Sequence, residues 1–68
     1  MTGYRLILAS SVGERDGMAL ELSRDDGVRV AEIFVDDATG RRTFRVFADE
    51  SIPVEAIEWL LAEARDRL

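Results

Sequence analysis

Sixty-eight residues allow one domain with one core, and a chain of that length buries only about 60% of its unfolded surface. Fourteen acidic and nine basic residues give a net charge of −5, which disfavours binding to phosphate backbones and anionic membranes. Cysteine and histidine are both absent; disulfides, thiolate sites and the commonest metal ligand are thereby excluded, and self-association is the support left to so small a fold.

In chain order, residues 4–10 (YRLILAS) form an apolar, β-prone run with Arg5 as its one charge, and predict a first strand. Residues 11–17 (SVGERDG) are a polar connection. The apolar stretch Leu6-Ile7-Leu8-Ala9 is too short for a secretory hydrophobic region or a membrane span. From residue 18 to 23 the chain alternates, with Met18, Leu20 and Leu22 on one face and Ala19, Glu21 and Ser23 on the other. Asp26-Gly27 signals a two-residue hairpin turn, since Gly accepts the positive φ that such turns need. Residues 28–35 give the third strand, 36–41 (DDATGR) a second turn, and 43–48 the fourth strand.

The two hairpins fix each other's register. A two-residue turn at Asp26-Gly27 places Met18, Leu20 and Leu22 opposite Val35, Ile33 and Ala31. It also sets Arg24 and Arg29 opposite each other. A four-residue loop over 37–40 pairs Ile33 with Phe44, Ala31 with Val46, and Glu32 with Arg45, a favourable cross-strand charge pair. Both hairpins then turn the same residues of the shared strand to one face, whereas a one-residue slip would invert every side chain. The pairing of the first strand stays open at this point.

The last element is a helix. Ser51 offers an N-cap and Pro53 suits the first turn, with Glu55 and Glu58 near the start and Arg65 and Arg67 near the end. Val54, Ile57, Leu61, Ala64 and Leu68 recur at three- and four-residue spacing, with Leu60 at the edge of their stripe. That stripe is expected on the sheet face made by Leu20, Leu22, Ile33, Phe44 and Val46. The fold class that follows is α+β, a four-stranded antiparallel β-meander packed on one C-terminal helix, with residues 1–68 as a single domain.

Two apolar groups fall outside this core. Ile52 and Trp59 lie nearly opposite the helix stripe, and Val30, Phe34 and Phe47 lie on the sheet face away from the helix. Tryptophan favours interface hot spots and contiguous apolar patches are uncommon on monomers, so these five residues are the expected protein-contact surface, for a second copy or a basic partner protein.

Chemistry is hard to find. The acidic pairs at 25–26, 36–37 and 49–50 sit at turns or element ends, where carboxylates serve solvation and turn formation. Residues 36–40 lack the ligand alternation and distal glutamate of a calcium loop. Ser10 and Ser11 have no histidine or lysine to act as base. No catalytic residue, metal ligand or cofactor is expected. Arg29, Arg41, Arg42 and Arg45, with Phe34 and Phe47 close by, form an alternative surface for stacking single-stranded bases. The order of four strands and a helix resembles that of the positive-cofactor-type single-strand-binding coactivators, which are helix-packed dimers; those carry conspicuous basic segments, and this chain is acidic and lysine-free. The reading is a cytoplasmic, bacterial-type, non-enzymatic protein–protein interaction module working as a homodimer.

Overall fold

A computed structural model describes residues 1–11, 16–47 and 49–68, so most of the first connection and Ala48 lie outside the described residues. Four strands, β1 (Tyr4–Ser11), β2 (Gly17–Arg24), β3 (Arg29–Asp36) and β4 (Arg42–Val46), precede one helix, α1 (Val54–Arg67). The strands make one antiparallel sheet in the order β1-β2-β3-β4. This is the ββββα meander that the alternation predicts. β1 pairs with β2, setting Leu6 opposite Leu22 and Leu8 opposite Leu20, so its apolar residues extend the helix-side face.

The β3–β4 hairpin follows the sequence-read register: Ala31 faces Val46, Glu32 faces Arg45 and Ile33 faces Phe44. Its loop is built by Asp36, whose Oδ1 accepts the N–H groups of Ala38 (2.8 Å) and Thr39 (3.3 Å). Gly40, at φ +74°, takes the left-handed position.

The β2–β3 hairpin reaches the expected pairing by a different route. Arg24 N–H donates to Val28 O (2.8 Å) and Gly27 N–H to Arg24 O (2.9 Å), which closes a three-residue loop over 25–27 with Gly27 at φ +95°. Three-residue loops commonly end on a left-handed residue. Such a loop alone would bring Glu32 opposite Leu20. Instead Ser23 pairs with Arg29 while Leu22 pairs with Ala31, so Val30 is an extra residue in β3. This bulge restores the parity of Leu20 with Ile33. It also corrects two placements. Val30 is fully buried in the core rather than on the open face, and Arg29 moves to the open face, away from Arg24.

Helix α1 also starts later than its cap signal suggests. Pro53, with ψ 137°, stands at the N-cap and Ser51 makes no capping bond. A cap at Ser51 would require Ile52 to be helical, and the residue before a proline is pushed out of that conformation. The buried helix residues are Ala56, Leu60 and Ala64. Relative to the expected stripe the helix is rolled by about 80°, counting about 100° per residue. Small residues above and below Leu60 let the helix backbone approach the sheet. The roll brings Trp59 partly into the core, with Ile52, Ile57 and Leu68 also packed on its edge. An indole removes more apolar area from water than a leucine side chain does. Leu60→Ala should therefore cost about 2–5 kcal/mol in denaturant unfolding and Leu61→Ala under about 1 kcal/mol; equal costs would contradict the roll.

Phe34 is buried on the opposite face of the sheet, with only 6% of its surface exposed. Its ring lies over Gly17, where an added Cβ would collide with Val35 O and come within 2.7 Å of the ring. Ala19, directly opposite Phe34, is also small and buried. Gly17→Ala should lower the melting temperature by several degrees through steric displacement of Phe34, while Gly17→Ser should do no better.

Candidate functional site

The helix sits over β2 and β3, and its roll decides what remains open beside it. Leu61 lies about 100° from Leu60 on one flank and Trp59 about 100° away on the other. On the Leu61 flank, a groove of about 300 Å³ runs between α1 and the sheet, lined by Ile33, Arg42, Thr43, Phe44, Leu61 and Arg65. Phe44 is 50% exposed, Val46 48%, Leu61 48% and Val54 66%. These four residues were expected in the core. Of the residues expected outside it, Val30 is buried in the core, Phe34 is buried on the sheet face away from the helix, and Ile52 and Trp59 are partly buried against the core. Of the five expected contact residues, Phe47 alone is classed among the exposed large hydrophobics.

The open face of the sheet sets charged side chains around Phe47. Arg29 places its guanidinium 4.1 Å from the Phe47 ring centroid and donates to Glu21 Oε2 at 2.9 Å. Arg45 stands 5.8 Å from the same ring. Glu21 and Glu32 are directly opposite across β2 and β3, a repulsive arrangement unless cations flank it. Arg29 bonds the first and Arg45 faces the second. The aromatic platform proposed for base stacking is therefore occupied on Phe47 and buried at Phe34.

No family model, curated protein or solved structure matches this chain.

Arg41, Arg42 and Arg65 make no ion pair with other described residues, and Arg42 and Arg65 line the apolar groove. A second hollow of about 230 Å³ lies on the other side of β4, lined by Phe34, Asp36, Arg41, Thr43 and Arg45. Both sides of β4 are thus unfilled, and every β4 residue is exposed. Among the described residues no group of three potential ligands is placed to hold a metal ion, and no helix is long and apolar enough to cross a membrane. The first carboxylate of the 36–40 loop, Asp36, accepts the backbone N–H groups of Ala38 and Thr39.

A separate ionic tie centres on Arg24. Arg24 Nη1 donates to both carboxylate oxygens of Glu50 at 2.8 Å, and its Nε donates to Asp26 Oδ1 at 3.3 Å. The tie joins the β2–β3 loop to the segment that leads into α1. Asp26 also accepts Val28 N–H at 3.1 Å. That backbone bond first, and Arg24 second, hold the Asp26 carboxyl below the usual aspartate range. A lowered value in the fold means stability that is complete above the unfolded value and is lost as pH falls through the folded one. Parent and Asp26→Asn chains should therefore differ in denaturant midpoint at neutral pH and converge as the pH drops below about 4. A difference that persists undiminished into strong acid would show that the carboxylate's charge is irrelevant.

Proposed function

We propose that this chain is a non-enzymatic protein–protein interaction module whose contact surface is the α1–β4 face. The observation that carries the reading is the exposure of Phe44, Val46, Val54 and Leu61 at the margin of the core, when so small a fold has every reason to bury them. Contiguous apolar surface on a folded chain marks an interaction site. Two arginines at the rim of the groove, Arg42 and Arg65, add polar groups suited to a contact margin. The cysteine-free composition fits a reducing, cytoplasmic setting.

Single-stranded nucleic acid has less support as a ligand. Arg29 lies on Phe47, Phe34 is buried, and two carboxylates share the open face with them. Net charge opposes it as well.

The contact-face reading is tested by the double variant Phe44→Ser, Leu61→Ser, compared with the parent at a dilution where both are monomeric. Its unfolding free energy should lie within about 1 kcal/mol of the parent, as for two exposed positions. A loss of about 4 kcal/mol or more, as for two buried truncations, would mean that the helix rolls Leu61 into the core in solution, and the proposed surface would not exist.

A further inference from the structure

Resting on that contact-face reading, we infer that the partner is a second copy of this chain, joined antiparallel through β4 about a two-fold axis at Phe44. β4 is the last strand of the sheet. Asp36 N–H donates to Arg41 O at 2.9 Å and Phe47 N–H donates to Val30 O at 2.8 Å. Residues 41, 43, 45 and 47 therefore turn their backbone groups to β3, and antiparallel alternation sends those of Arg42, Phe44 and Val46 outward. Three N–H and three C=O groups lie along this edge, which is a template for another strand.

The sequence of the edge selects its own register. A two-fold axis that pairs identical strands antiparallel stands perpendicular to the sheet, so paired residues share the same face and both helices lie on one side. An axis at Arg42 or at Arg45 sets each of those arginines against its own copy. An axis at Thr43 sets Arg41 against the partner's Arg45. At Val46 it leaves Arg42 without a facing strand. At Phe44 the pairs become Arg42 with Val46, Thr43 with Arg45, and Phe44 with itself. No like charges face each other, and every outward backbone group of β4 finds a partner.

The side chains agree with the backbone. Phe44 and Val46 project to the helix side, where Leu61 borders the same groove. The second copy brings its own Phe44 and Val46 to that place and extends the covered apolar face. The other free edge, β1, is less suited: its exposed Ile7 and Leu8 are neighbours in sequence and so point to opposite faces. Pairing through β4 joins two four-stranded sheets into one continuous sheet.

A chain without cysteine permits a clean test. In the Phe44-centred register Thr43 and the partner's Arg45 form a non-hydrogen-bonded pair, whose Cα atoms lie about 4.5 Å apart, within disulfide reach. Thr43→Cys and Arg45→Cys chains, mixed and mildly oxidised, should yield several-fold more covalent dimer than either alone. The parent should sediment at twice the chain's mass at high micromolar concentration, and Phe44→Pro, which removes an outward N–H together with the ring but no N–H of the ladder to β3, should sediment as a monomer with its helix intact. Cross-linking as efficient in Thr43→Cys alone or Arg45→Cys alone would overturn the register. A monomeric parent, together with no cross-link in the mixed cysteine chains, would overturn self-pairing, whereas the contact face itself is decided separately by the stability of the Phe44/Leu61 variant.

Discussion

Val30 reconciles two demands that a regular ladder between β2 and β3 cannot meet together. The loop over 25–27 closes with Gly27 in a left-handed conformation, and an odd-sized loop shifts the pairing by one. The core requires Leu20 and Leu22 to share a face with Ile33 and Ala31. One extra residue in β3 absorbs the shift. The same residue sends its own side chain inward and keeps Ala31 and Ile33 on the helix side, so the composition of both sheet faces follows from it. Without the bulge Glu32 would stand opposite Leu20 and point at the helix, where its carboxylate would have to be desolvated.

The helix then settles on the face that this register creates. Its seat is narrow because Ala56 and Ala64 carry little side chain, and Leu60 fills the centre. A helix with two apolar flanks can bury only one of them fully on a sheet of four strands. The flank bearing Trp59 takes the partly buried position, and that bearing Leu61 and Val54 is left beside β4. The exposed apolar flank is thus a remainder, set by which flank gains more from burial. The ionic grip of Arg24 on Glu50 holds the entry to the helix near the β2–β3 loop, with modest energy because both side chains remain partly in water.

The order of β2, β3 and β4, their spans to within two residues and the second hairpin could be read from the chain because their signals are local: period-two alternation, an Asp-initiated loop and a glycine in the left-handed position. The first hairpin illustrates the limit. Asp26-Gly27 serves a two-residue or a three-residue loop equally well, and a bulge downstream leaves no mark of its own in the string of residues. Phe34 did have a signal, since Gly17 and Ala19 are the small residues that lie against it, but their adjacency exists only once β2 and β3 are paired. The roll of α1 was hidden for a related reason. Helical spacing ranks apolar residues by angle, whereas the seat selects by size, and Ala56 and Ala64 carry weight through what they lack. The exposed apolar flank of α1 is consequently the one bearing Leu61 and Val54, not the one bearing Trp59.

The meander also has a kinetic meaning. Each strand pairs with its neighbour in sequence, across connections of only a few residues, so little chain entropy opposes each closure. Contacts of this kind favour rapid folding. The helix, by contrast, has no seat until β2 and β3 have met in the bulged register. Docking of α1 therefore belongs late in folding, and the step that commits the chain is the alignment of one hairpin around Val30.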